Sequence, residues 1–326
     1  MWKKLKYGLL SLIIILFFIG VLIPIDKTPV LYYKRHSSVL DTEKIAGEFW
    51  LRWLYNNPTG EITLEALIKR KIISDWYGKQ MDDPSSSKKI KPFIKEYGIN
   101  MIEVEDTNFK TFNDFFIRKL KSHVRPIDTS FQTIISPADG KVFAYSNISE
   151  SDFIVKGVRF NIYDFLRDTA LARKFKNASM YIVRLCPSDY HRFHFPLNAK
   201  VLLERKIDGA YYSVSPIALR EKIMLFVENK REFTVLQNDL VGEFIMAEVG
   251  ATLVGSIIQT FKNNIVKKGE EKGFFKFGGS TVILLFREGT IIIDEDLVKN
   301  TKQGYETEVK MGERIGTIKN QILPKN

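Results

Sequence analysis

Phe277-Gly278-Gly279-Ser280-Thr281-Val282-Ile283-Leu284-Leu285-Phe286 passes from a glycine pair through a serine into an unbroken apolar run. The run from Thr281 to Phe286 predicts a short β-strand. Two glycines at its mouth can adopt dihedrals closed to other residues, and they clear space around the Gly279 carbonyl. Taken alone, Gly-Gly-Ser is also the signature of an ordinary turn.

Working outward, similar runs recur at Ile182–Leu185, Phe233–Leu236, Glu243–Val249, Thr252–Ile258 and Thr290–Ile293, punctuated by Gly, Pro, Asn or Asp. One helix, roughly Ile162–Phe175, interrupts them. Residues 40–125 instead carry apolar side chains at spacings of three and four, with start signals at Asp41 or Thr42, Thr63 and Thr111. Pro84-Ser85-Ser86-Ser87-Lys88-Lys89 reads as a loop. Before all of this, Lys3, Lys4 and Lys6 precede an uncharged stretch from Tyr7 to Ile25 without an A-x-A cleavage pattern, which predicts an uncleaved membrane anchor over 1–25. The expected fold class is therefore α+β: N-terminal helices on a predominantly antiparallel β body over 126–326, preceded by a single membrane-anchoring helix. The protein is expected at the cell membrane with its catalytic body in the cytoplasm.

Composition narrows the classes of function. The 326 residues are 45% hydrophobic, enough for a core, and 49 Lys and Arg against 38 Asp and Glu give a net +11 that favours anionic partners. One cysteine, Cys186, excludes an intramolecular disulfide. All four tryptophans fall in the first quarter of the chain, beside Arg52, Lys69, Arg70 and Lys71. Rings next to cations suit a membrane interface, and the same rings at helical spacing equally suit a helical core. No glycine-rich phosphate loop occurs, and nucleic-acid binding has only net charge behind it.

Two of the four histidines, His191 and His194, fall in Cys186-Pro187-Ser188-Asp189-Tyr190-His191-Arg192-Phe193-His194-Phe195-Pro196. Imidazole is the side chain best matched to proton transfer near neutral pH. The same window with Cys186 also has the C-x4-H-x2-H spacing of a three-ligand zinc site. Ser136-Pro137-Ala138-Asp139-Gly140-Lys141-Val142 places Asp139 in a favoured hairpin dipeptide, with or without chemistry. Together with Val309-Lys310-Met311-Gly312 it also has a faint look of a biotinyl or lipoyl carrier hairpin, with Lys310 as the modified lysine. Val249-Gly250-Ala251 and Val254-Gly255-Ser256-Ile257 suggest close backbone approach or a bulge.

Taken together, Phe112-Asn113-Asp114-Phe115-Phe116-Ile117-Arg118-Lys119-Leu120-Lys121, the Ser-Pro-Ala-Asp-Gly segment, Asp189 to Pro196, the two glycine segments and Phe277-Gly278-Gly279-Ser280-Thr281 resemble, in the same order, phosphatidylserine decarboxylase proenzymes of a Gly-Gly-Ser-Thr subgroup. The likeness runs from about residue 40 to about 318, where Gly304-Tyr305-Glu306-Thr307 and Met311-Gly312-Glu313 also fit. It implies a self-processing enzyme that converts phosphatidylserine to phosphatidylethanolamine and CO2. On these positions it implies a self-cleavage relay of Asp139, His194 and Ser280, a cut between Gly279 and Ser280, and conversion of Ser280 to a covalent pyruvoyl group that forms a Schiff base with substrate. His191 is implied as the proton donor in decarboxylation. The expected partners are phosphatidylserine in an anionic membrane, the beta chain 1–279 and alpha chain 280–326 as a heterodimer, and a homodimer of these units. No metal, external cofactor or nucleic acid is expected.

Overall fold

The computed structural model describes residues 26–149, 154–155, 158–221, 224–251 and 256–319, together with Tyr7, Gly8, Ser11 and Gly20. At its centre is a ten-stranded sheet. From edge to edge its strands are Ile265–Val266, Ala199–Ile207, Arg231–Asn238, Gly242–Val249, Ser280–Phe286, Ser179–Leu185, Gly140–Tyr145, Glu306–Val309, Leu31–Lys34 and Val39–Thr42. Every neighbouring pair is antiparallel except Leu31–Lys34 beside Glu306–Val309.

The Ser280 strand lies between Gly242–Val249 and Ser179–Leu185 and is buried at every residue. That explains its unbroken apolar composition, since both faces meet a core. Val282, Leu284 and Phe286 join Phe193, Phe195 and Phe275 on one side, whereas Ile283 and Leu285 meet Phe165, Phe226 and Phe233 on the other. The first side is covered by two three-stranded sheets, one ordered Ile257–Gln259, Glu271–Phe275, Arg192–His194 and the other Ile291–Ile293, Arg314–Ile318, Thr133–Ile135. Helices cover the second: Ile162–Leu166, Thr169–Lys174, Pro216–Glu221 and Leu225–Glu228.

Several boundaries differ from expectation for local reasons. Asp41 and Thr42 end a strand, and the first described helix of this region, Glu48–Asn56, starts after Gly47 at φ 65°. Thr63 sits inside a helical stretch that continues through a π-helical turn at Leu64–Ile68. Pro84–Lys89 is a 3-10 helix, because Asp83 caps it and the buried Ser86 hydroxyl accepts from Phe112 N at 2.8 Å. Thr111 does form a capping box with Asp114, on a helix of only Phe112–Phe116. Ile162–Phe175 splits at Arg167, which takes φ 48°. The aromatic question divides: Trp53 is 7% exposed in a core, while Trp50 and Trp76 are 63% and 59% exposed.

The fold class needs one correction. The anchor expected over 1–25 falls almost wholly outside the described residues, and among the described residues no helix is long and apolar enough to cross a membrane. The described molecule is α+β, a large mixed sheet with N-terminal helices, without an anchoring helix.

One buried ion pair fastens the Glu271–Phe275 strand to the central sheet. Lys272 Nζ donates to Glu248 at 2.8 and 2.9 Å with both side chains fully buried, and to Gln259 at 3.0 Å. Removing one partner leaves the other charged and unsolvated, which costs about 3–5 kcal/mol. Lys272→Met should therefore lower stability by that amount in denaturant unfolding, and adding Glu248→Leu should recover most of it.

Candidate active site

Ser280 opens a central strand, opposite Leu185 of the neighbouring one. Thr281, Arg184 and Lys141 share the next rung across three strands. The Gly279-Ser280 and Asp139-Gly140 bonds thus leave the sheet at the same end, roughly 10 Å apart at two strand spacings. The two glycines are not equivalent. Gly278 has φ 135°, closed to other residues, whereas a Cβ on Gly279 would approach Val214 Cγ2 to 3.3 Å. A cavity of ≈140 Å³ reaches both of them, bordered also by Glu43, Arg184, Ser213 and Ser215.

Strand alternation puts Ser280 on the face of Val282 and Leu284, the side covered by the sheet that carries His194. That covering strand is tied to the aspartate loop. His194 N donates to Pro137 O at 2.8 Å, two residues before Asp139, and Phe275 N donates to His191 O at 2.9 Å. The Met311–Glu313 turn closes the other side, with Met311 N donating to Asp139 Oδ1 at 2.9 Å and Gly312 N to Ser136 O at 3.1 Å.

Six buried side-chain polar atoms without a hydrogen-bond partner gather on five residues here: Ser280 Oγ, Thr281 Oγ1, His191 Nε2, His194 Nδ1, and Nε and Nη1 of Arg118. Buried polar atoms are ordinarily satisfied, and groups left open are where a reaction finds its donors and acceptors. The expected relay is not joined by hydrogen bonds in this structure. Asp139 instead accepts from Arg125 Nε at 2.9 Å and Nη2 at 2.6 Å, besides Met311 N.

Both histidines are held neutral. Burial lowers the pKa of each from 6.5 to about 4; Asp189 opposes this at His191, and Glu271 and the Pro137 carbonyl oppose it at His194. His191 Nδ1 lies 2.9 Å from Asp189 O, which can only accept, so Nδ1 carries the proton and Nε2 the lone pair. Its ring packs on Phe116 at 3.9 Å, and Phe116 in turn contacts Phe277 at 5.0 Å, just before the glycine pair. Asn113, from the same helix, accepts from Phe277 N at 2.9 Å. The Phe112–Phe116 helix therefore braces the Gly-Gly-Ser segment.

Cys186 stands apart from the histidines in a network the sequence reading missed. Its Sγ contacts Lys141 Nζ at 3.1 Å and Glu43 Oε1 at 3.1 Å. Arg184, fully enclosed, donates to Glu43 at 2.5 and 2.9 Å and to Glu306 at 2.5 and 2.8 Å. Burial works against the Glu43 charge, yet Arg184 and Lys141 hold its pKa down to about 2. Charged Arg184 and Lys141 inside otherwise apolar strand runs were the available signal. Among the described residues no group of three His, Cys, Asp or Glu side chains converges as a metal site. Lys310, the lysine of the carrier reading, pairs with Glu308 at 2.9 Å.

With this geometry in hand, comparison with known proteins assigns the chain. Residues 112–317 match the phosphatidylserine decarboxylase family. The phosphatidylserine decarboxylase proenzyme of Fusobacterium nucleatum subsp. nucleatum is 48% identical over 295 residues, spanning 89% of this chain and 98% of the relative. That of Clostridium botulinum strain Langeland is 49% identical over 292 residues, 88% and 99% of the two chains. The proenzyme of Clostridium perfringens strain SM101 is 46% identical over 288 residues, 87% and 98% respectively. The chain belongs to the phosphatidylserine decarboxylase family.

A group whose folded pKa lies below its unfolded value leaves the native state holding fewer protons in between, so stability falls on acidification across that window. Between pH 6.5 and about 4, two such histidines should make unfolding free energy drop steeply. Denaturant titrations against pH should show that slope in the native chain and a shallower one in His191→Asn.

Proposed function

We propose that the chain is a self-processing, pyruvoyl-dependent decarboxylase that converts phosphatidylserine to phosphatidylethanolamine and CO2. Decarboxylase and proenzyme are what its family is; the pyruvoyl group and the residue roles are the proposal. The observation that carries it is Ser280 Oγ, fully buried, unpartnered and one residue after a glycine that clears its carbonyl. A serine so placed fits conversion into a terminal ketone enclosed at the head of a strand.

Neutral His194 takes the Oγ proton, Oγ attacks the Gly279 carbonyl, and the peptide C–N bond breaks to leave an ester. Asp139 supports the imidazolium that forms, and the open Nδ1 of His194 is the atom that meets it once the ring turns to the relay. Elimination across Ser280 releases the carboxylate of Gly279, and hydrolysis of the resulting dehydroalanine expels ammonia. The pyruvoyl carbonyl, when formed, supplies an electron sink for loss of CO2. His191 Nε2, bearing a lone pair, can take the proton that the substrate ammonium must lose and return it to the carbon that CO2 leaves.

The substrate is a bilayer lipid, and the N-terminal helices supply a face for it. Phe49, Trp50, Ile62, Leu67, Ile72 and Trp76 on helical turns between residues 48 and 82 are each 56% exposed or more. Such a face, near Lys69, Arg70 and Lys71, suits the interfacial region of an anionic bilayer. The product is a two-chain unit of 1–279 and 280–326, and two such units are proposed to pair.

Intact-mass measurement of denatured protein should find two chains, the smaller beginning with a pyruvoyl group in place of Ser280; a single chain with serine intact sinks the reading. Asp139→Asn and His194→Ala should slow the cut roughly 100-fold or more, whereas His191→Ala should cut normally and lose most decarboxylation. Trp50→Glu with Ile72→Glu should weaken flotation with phosphatidylserine vesicles, and unaltered flotation would remove the docking face.

A further inference from the structure

Beside Asp139 opens a cavity of ≈560 Å³ that reaches five basic side chains, Lys34, Arg118, Arg125, Lys141 and Lys310. Four of them are paired. Arg125 holds Asp139 and Glu103, Lys310 holds Glu308, Lys34 holds Asp41, and Lys141 lies 3.9 Å from Glu43. Arg118 differs: among the described residues no carboxylate forms an ion pair with it. Its Nη2 donates only to the backbone carbonyls of Ser188 at 2.9 Å and Asp189 at 3.2 Å. Nε and Nη1 are buried without partners, although the side chain is only 5% exposed.

Asp189, Asp139 and the Phe115 ring offset part of the lost hydration of this guanidinium, but its two open donors remain costly until an acceptor meets them. Burial even drags its pKa below the ordinary guanidinium value. Nη2, which would complete either fork of the guanidinium, is taken by the two carbonyls, so Arg118 can offer a phosphate one charge-assisted hydrogen bond from an open nitrogen, Nε or Nη1.

The position relative to the reacting centre decides which phosphate. Arg118 Nη2 and His191 Nδ1 share the Asp189 carbonyl, at 3.2 and 2.9 Å. One carbonyl oxygen thus separates the guanidinium from the imidazole assigned to proton transfer. In phosphatidylserine the phosphorus lies three bonds from the carbon that loses CO2, so a phosphate beside that imidazole is in reach. The substrate carboxylate is the poorer candidate. Pairing it with arginine would stabilise the charge that the reaction must discharge, whereas the phosphodiester keeps its charge throughout.

We propose that Arg118 is the residue that binds the phosphodiester of the substrate headgroup, through one of its open nitrogens, Nε or Nη1. The inference rests on the phosphatidylserine reading above. A contact equal in ground and transition states changes KM and leaves kcat nearly untouched.

The test uses full-length protein and water-soluble dihexanoyl-phosphatidylserine. Arg118→Lys and Arg118→Gln are first checked for the Gly279-Ser280 cut by intact mass, which reads the decarboxylase assignment separately. In processed Arg118→Gln, KM should rise roughly 10- to 100-fold with kcat within a few-fold, the scale of charge-assisted hydrogen bonds. Arg118→Lys, which keeps the charge, should give a smaller rise. Glycerophosphoethanolamine should inhibit the unmodified enzyme competitively and the Lys variant far less. An unchanged KM in a processed variant overturns the proposal, as does a fall in kcat alone. If the Gln variant fails to fold, the Lys variant and the inhibition series decide. Inorganic phosphate competing more strongly than the diester would make this a site for free phosphate and overturn the substrate assignment.

Discussion

The structure depends on a strand whose first residue, Ser280, is the proposed point of cleavage. Ser280 through Phe286 is hydrogen-bonded on both edges, to Gly242–Val249 and to Ser179–Leu185, and packed on both faces. Severing the bond before Ser280 therefore leaves the rungs from Thr281 to Phe286 in place. Ser280 is paired with Leu185 inside the sheet, so a new chain end there would have a fixed address. Just before the strand, Gly278 takes φ 135°, which no other residue adopts readily.

Around that fixed point six buried polar atoms on five residues are left open. Arg184, Glu43, Glu306 and Lys141 form a closed network one rung away. Ser280, Thr281, His191, His194 and Arg118 keep free donors and acceptors. The contrast separates scaffold from site more sharply than residue type does, because both sets are charged or polar and buried. The two imidazoles stay neutral for a shared reason, enclosure, and so remain able to accept protons over the physiological range.

Much of this was legible in the residues, and what was missed had physical causes. The apolar run after Ser280, the Asp139 loop and the histidine pair could be read because turn chemistry and side-chain type are local. The helix limits near Asp41, Thr63 and Ser86 could not, since a strand partner, a π turn and a hydroxyl bridge to Phe112 decide them from elsewhere in the chain. The tryptophans carried no local mark telling Trp53 from Trp50, because exposure depends on which face the next helix covers. The hydrogen bonds of Asp139 to Arg125, 14 residues away, and to Met311, 172 residues away, were equally invisible, as neither leaves a mark in the local pattern. Arg118 lay in a quoted motif without a role until its open nitrogens gave it one.

The interleaving of strands has a last consequence. Glu306–Val309 sits between Gly140–Tyr145 and Leu31–Lys34, and Arg314–Ile318 lies beside Thr133–Ile135, so the segment after the proposed cut is woven through the segment before it. The two segments share the cores on both faces of the central sheet. Its assembly instructions belong to the uncut polypeptide. Once denatured and separated, the halves would have to recover as a bimolecular reaction what the precursor achieved as an intramolecular one, which makes maturation a one-way door for the fold as well as for the chemistry.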